Sequence, residues 1–110
     1  MIYLTIAKSA REWREEVFER ANYRCERDTI GSSRCPQEPT EAHHVVFRSH
    51  LSPRALWIVE NGIALCKQHH DECHASHNAI LPKARLRVAV DAINCVESVP
   101  VKHFTKGRTA

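Results

Sequence analysis

A small α+β domain stapled by metal is the fold class this sequence predicts, and three observations predict it. The 110 residues amount to one domain, and a fold of that size buries only a modest apolar core. Helix and strand signals follow one another as helix, strand, loop, strand, helix and a last helix. Eight His and five Cys supply borderline and soft ligands, and nine of them crowd between His43 and His77. An odd number of cysteines argues against a plain disulfide framework. Residues 1–9 carry one Lys and no apolar stretch long enough for a secretory signal. The expected compartment is therefore the cytoplasm, where interleaved Cys and His point to bound metal. A composition of 43% hydrophobic and 26% charged residues excludes a disordered or collagen-like chain. No apolar run approaches the length needed to span a bilayer.

Each element has a local warrant. Ser9 is placed to cap a helix over residues 10 to about 24, whose early turns hold Glu12, Glu15 and Glu16 where the helix dipole favours negative charge. Trp13, Val17, Phe18 and Ala21 recur at helical spacing and form the stripe expected to face the core. Residues 25–40 contain Gly31, Ser32, Ser33, Pro36 and Pro39, the composition of a loop. The β-prone Val45, Val46 and Phe47 make residues 42–47 a short strand. Ser52-Pro53 marks residues 50–57 as irregular, and Asn61-Gly62 is a turn signal ahead of a second short strand over 63–65. A helix fits residues 67 to about 79 and must end before Pro82. The last helix, over about 83–96, places Leu86, Val90, Ile93 and Val96 on one side and Cys95 in the core.

Charge is unevenly spread. Residues 25–81 hold five basic and seven acidic groups, whereas residues 82–110 hold six basic and two acidic ones. A basic tail is compatible with a nucleic-acid partner. Lys83, Arg85, Arg87, Lys102, Lys106 and Arg108 are the groups available to follow a DNA backbone, with solvated surface charge as the default.

Spacing divides the ligands into two sets. His70 and His74 stand at i and i+4, hence on one helix face, which suits two imidazoles on one ion. His43 and His44 are neighbours on a strand, so they point to opposite faces and take different roles. Asn61, just before the second strand, can lock a loop against a backbone group. Cys25, Cys35, Cys66 and His69 form the second set, with Cys66-x-x-His69 at knuckle spacing and a tetrahedral three-Cys, one-His zinc site as the expectation. Cys73, one turn after His69, is the rival for its fourth place, and His77 is the rival of His74.

The run Glu41-Ala-His43-His44-Val-Val-Phe-Arg48-Ser, followed by Glu60-Asn61-Gly-Ile-Ala-Leu-Cys66-Lys-Gln-His69-His70-Asp-Glu-Cys-His74, resembles the HNH endonuclease family. Phe18-Glu-Arg-Ala-Asn-Tyr23-Arg-Cys25 is similar to the segment that opens many of its domains. The resemblance covers about residues 18–78 of a single domain, 1–110, with a helical, basic C-terminal extension over 82–110. It implies a ββα-metal (His-Me finger) fold flanked by an N-terminal and a C-terminal helix. The implied activity is metal-dependent hydrolysis of DNA phosphodiester bonds, leaving 5′-phosphate and 3′-hydroxyl ends. On that resemblance His44 is the general base that activates water, and Asn61 orients the loop and the base. His43, His70 and His74 hold a catalytic divalent cation (Mg, Mn, Zn or Ni). Cys25, Cys35, Cys66 and His69 hold a structural zinc, their first half stretched relative to the family's usual Cys-x-x-Cys knuckle. Arg48, four residues after the base, is a candidate contact for the scissile phosphate. DNA is the implied partner, with RNA left open, no membrane, and monomer or homodimer undetermined.

The chemistry fits these residue types. A phosphodiester is anionic and its leaving oxygen gains charge, which a cation held by three imidazoles with open positions offsets as a Lewis acid. His44 must be neutral to take a proton, and an ordinary imidazole pKa of about 6.5 leaves it mostly so at pH 7. A backbone carbonyl would fix its tautomer. The rival class is a non-catalytic zinc-finger-like module that binds nucleic acid or scaffolds a larger complex. Such a module has no need of adjacent histidines, Asn61 and a His-x-x-x-His helix together.

Overall fold

The computed structural model describes residues 4–27, 35–96 and 101–103, the last three through their backbone alone. The elements run β1 (Leu4–Ile6), α1 (Ala10–Arg20), β2 (Glu41–His44), β3 (Gly62–Leu65), α2 (Lys67–Ser76), α3 (Lys83–Cys95) and β4 (Val101–His103). The described residues thus form an α+β fold with three α-helices, as the periodicities predict. β2 and β3 form an antiparallel pair with Glu41 opposite Leu65 and His44 opposite Gly62. Three single 3-10 turns, Arg48–His50, Pro53–Ala55 and Val59–Asn61, connect those two strands. The expected loop residues 31–33 and the basic Lys106 and Arg108 lie outside the described residues, as does the rest of the C-terminal extension beyond β4. No helix among the described residues is long and apolar enough to cross a membrane.

Ser9 caps α1 as expected, its hydroxyl accepting from the Glu12 N–H at 3.2 Å. The helix ends four residues earlier than its sequence suggests. Asn22 and Tyr23 both turn left-handed (φ 57°), and the Tyr23 N–H closes on the Phe18 carbonyl at 2.9 Å. Trp13, Val17 and Ala21 are buried in one cluster with Ala64 of β3 and with Val59, and the Trp13 indole N–H donates to the Ile58 carbonyl at 2.9 Å. At Gly62 the helix lies directly on the strand backbone. A Cβ there would stand 2.5 Å from Val17 Cγ2 and 2.8 Å from Trp13 Cζ2. Gly62 has φ −104°, so it is required by this close approach and not by turn conformation. Gly62→Ala is expected to lower stability by about 1–3 kcal/mol through overpacking, measured as a shift of the denaturation midpoint. An unchanged midpoint would show that α1 can move away freely.

Several expectations are corrected. The first strand of the central pair ends at His44 and not Phe47: the Val45 N–H still reaches the Asn61 carbonyl at 2.9 Å, but the Asn61 N–H turns away to the Ile58 carbonyl at 3.0 Å and the return bond is not made. α2 ends at Ser76, where His77 (φ 54°) and Asn78 (φ 71°) are left-handed. On α3, Val90 is exposed at 44% while Ala89, Ala92 and Val96 are buried. The buried stripe runs Ala89, Ala92 and Val96, at i, i+3 and i+7, and Val90, one residue on from Ala89, is rotated away from it by about 100°. Cys95 is half-buried, not core. Arg85 is half-buried and pairs with Glu26 at 3.6 Å, so it is not simply solvated charge. Among the described residues of the C-terminal extension, the helix ends at Cys95. Val101–His103 then form β4, which pairs in parallel with β1, Leu4 opposite Val101.

Candidate metal centres

The loop after α1 and the start of α2 bring Cys25, Cys35, Cys66 and His69 together, with all four ligand atoms within 4.8 Å of one another. Backbone hydrogen bonds hold the loop in place: Cys25 N–H to Gln37 O at 2.8 Å, Cys35 N–H to Arg27 O at 2.9 Å and Glu26 N–H to Ala64 O at 2.8 Å. Cys66 precedes α2 and His69 lies in its first turn, so knuckle spacing turns both toward the loop. His69 Nδ1 is 3.3 Å from Cys25 Sγ and 3.4 Å from Cys66 Sγ. Zinc bonded tetrahedrally to sulfur and imidazole nitrogen would separate those atoms by about 3.5 Å. The four residues could therefore bind a metal such as zinc. Without metal, burial pushes the Cys25 thiol up to about 12, so a bound cation must displace protons there. Cys73 lies outside this group, fully buried in the apolar cluster with Ile63 and Leu65. Burial pushes its thiol up to about 11.

A second group joins β2 to α2. His43, His70 and His74 bring their ligand atoms within 4.8 Å of one another, and the Nε2 atoms of His70 and His74 are 3.1 Å apart. Two imidazole nitrogens sharing one cation at about 2.0–2.1 Å stand near that separation. The donor set, three imidazoles with one side open, suits a borderline divalent cation with coordination positions left over. His77, exposed at the left-handed residue that ends α2, is not part of the group.

Neutral imidazoles are what such a site requires. Burial lowers His43 from 6.5 to about 4, the Asn78 side chain opposing and His70 and His74 reinforcing the shift. His70 is also lowered, by burial and then by His74, with the Glu41 and Asp71 carboxylates opposing. The unfolded chain takes up a proton at His43 near pH 6.5, whereas the folded one resists until about pH 4. This contribution to stability is full above 6.5 and is lost as pH falls toward 4. Between pH 7 and 5.5 the loss from His43 is expected to be about 1 kcal/mol. Denaturation midpoints of protein carrying one equivalent of zinc, enough for the cysteine group alone, should therefore fall less steeply with acid in His43→Gln. An identical slope in the two proteins would show that the buried imidazole titrates normally.

His44 faces the other side of the strand. Its ring stacks on Trp13, centroids 4.2 Å apart and planes 15° apart, and its Nε2 lies 2.9 Å from the Leu56 carbonyl. A carbonyl only accepts, so Nε2 carries the proton and Nδ1 keeps its lone pair. Burial holds His44 below the ordinary 6.5, Arg48 adds to that, and the Leu56 bond opposes it. Asn61 is fully buried and grips Val46 twice, accepting from its N–H at 2.8 Å and donating to its carbonyl at 3.1 Å. It thereby extends the β2–β3 pairing by one residue through a side chain. Arg48 lies over the Trp57 ring at 5.5 Å. His43, His44, Phe47, Arg48, His70 and His74 line one open depression of about 380 Å³.

Apart from Asn61, which is fully buried, the site residues expected from the sequence fall into these two groups or line that depression. His50 is exposed and outside them. Three contributors were not singled out for the site by sequence: the Leu56 carbonyl, the Trp13 face under His44, and Asn78 against His43. The available hint for Asn78 was an Asn just past a helix end, a common left-handed cap. Comparison with protein-family models, curated proteins and solved structures finds no match for this chain.

Proposed function

We propose that this chain is a metal-dependent endonuclease of the HNH type that hydrolyses DNA phosphodiester bonds, with β2, β3 and α2 as its ββα-metal unit. The observation that carries this reading is the placing of His44 and the three-histidine group on one open depression. His43 and His44 point to opposite sides of β2, yet both line this depression. His44, neutral and with Nδ1 unprotonated, takes a proton from attacking water. Trp13 and the Leu56 carbonyl hold the ring in place, and Asn61 holds the strand end that carries it. Arg48, on the same rim, offers a guanidinium to the phosphate. His43, His70 and His74 would hold the divalent cation, which supplies Lewis-acid stabilisation of the leaving oxygen when bound. Cys25, Cys35, Cys66 and His69 would hold a structural zinc.

The test is conversion of supercoiled plasmid to nicked or linear product by the full chain, zinc-loaded and supplied with Mg, Mn, Ni or Zn. Cleavage with at least one of these, abolished by chelator, is the expected result. DNA binding with zinc retained and no cleavage under any metal would replace this reading with a zinc-finger-like binding module.

A further inference from the structure

We propose that Asn78 is the positioning residue of the three-histidine group, selecting which ring nitrogen of His43 is offered to a cation. The inference rests on the reading of His43, His70 and His74 as a metal site. The orientation of the Asn78 amide follows from its neighbours. Its Nδ2 donates to the Val45 carbonyl, which can only accept. Its Oδ1 therefore faces the His43 ring, 2.7 Å from Nε2. An amide oxygen also only accepts, so Nε2 of His43 carries the proton and Nδ1 is the atom with a free lone pair. Ligating histidines generally donate their other ring N–H to a carbonyl or carboxylate, which fixes tautomer and ring direction.

The fold explains why an Asn stands there. α2 ends in two consecutive left-handed residues, His77 (φ 54°) and Asn78 (φ 71°), and the Asn78 N–H closes on the Cys73 carbonyl at 2.9 Å. Asn adopts that backbone more readily than other residues with side chains, Gly apart. The turn carries the amide back across the end of β2, where it binds Val45 and His43 together. His43 belongs to β2, whereas His70 and His74 belong to α2. One side chain thus sets the strand ligand relative to the two helix ligands. His43 is only 2% exposed, so bulk water is poorly placed to take over when the amide is removed.

Asn78→Gly deletes the side chain while suiting the left-handed backbone, and Asn78→Asp keeps an acceptor for His43. Binding of Zn2+ to the full chain is measured by calorimetry after one equivalent has filled the cysteine group. The His43 tautomer is read from its ring 15N shifts before the second equivalent is added. The wild type should show Nε2–H and bind a second zinc. Asn78→Gly should lose the single tautomer and bind the second zinc about 10–100-fold more weakly. Asn78→Asp should recover the tautomer even where it lowers the melting temperature, which a merely structural role would not do. Wild-type His43 in the Nδ1–H form overturns the proposal, as does an Asn78→Gly protein with unchanged tautomer and affinity. A wild type that binds only one zinc overturns the three-histidine site itself and this inference with it, so the two failures are told apart. None of these readouts depends on DNA cleavage.

Discussion

Removing metal from Cys25, Cys35, Cys66 and His69 is expected to unfold the domain. Of the nine residues in the buried cluster between the loop, β3 and α2, four are cysteines, and three of those belong to the candidate zinc group. The apolar remainder, Val45, Ile63, Leu65, Leu81 and Ala89, is small. Structural zinc contributes on the order of 10–16 kcal/mol of apparent binding free energy at neutral pH, comparable to or larger than the stability of about 5–15 kcal/mol of a typical domain. A strong chelator should therefore abolish the cooperative thermal transition seen by circular dichroism, and Cys25→Ser should behave like the chelated wild type. Cys73→Ser is the control. It leaves a buried hydroxyl in an apolar cluster, for a cost of about 1–3 kcal/mol, but should retain one tightly bound zinc. If Cys73→Ser loses the zinc and His69→Ala keeps it, the fourth ligand is Cys73. If the chelated wild type melts like the untreated protein, the cluster is an ordinary core and no staple.

Local chemistry made most of this fold legible. The Ser9 cap and the i, i+4 spacing of His70 and His74 act over a few residues, and the structure has them where spacing predicts. The ligand groups were legible for the same reason: each is assembled from short motifs on a strand, a helix start or a helix face. What escaped depends on contacts far apart in sequence. β1 and β4 are three residues each and their partners lie at opposite ends of the chain, so neither carries a periodic pattern long enough to detect. Trp13 carried the signature of a core aromatic, and it is one, buried at 4%. That its face also supports His44 follows from packing α1 onto β3. The bond from Asn78 to His43 spans 35 residues and exists only once α2 has ended early. Val90 illustrates a different limit. Hydrophobicity marked it as core, but α3 buries the face that carries Ala89, Ala92 and Val96, and packing against distant elements decides which face that is.

His44→Ala should abolish cleavage while leaving metal content and fold intact. The imidazole lies on the side of β2 away from His43, so its removal takes no ligand from the three-histidine group. What is lost is a neutral ring whose Nε2 is committed to the Leu56 carbonyl and whose Nδ1 remains free to accept a proton. Positioned general bases contribute typically about 10²–10⁴-fold, and the cleavage rate of supercoiled plasmid should fall by that order. Raising the metal concentration should not restore it. His43→Ala should behave differently, because a weakened cation site is partly refilled by excess metal, so its defect should shrink as metal is added. The pair of variants thus separates proton transfer from metal holding on one depression. Burial keeps His44 below the ordinary imidazole value, so the wild-type rate should hold as pH drops from 7 to about 6.5 and decline only in more acidic solution. A His44→Ala protein that cuts as fast as wild type under every metal would remove His44 from the mechanism and leave the three-histidine group to act with a different base.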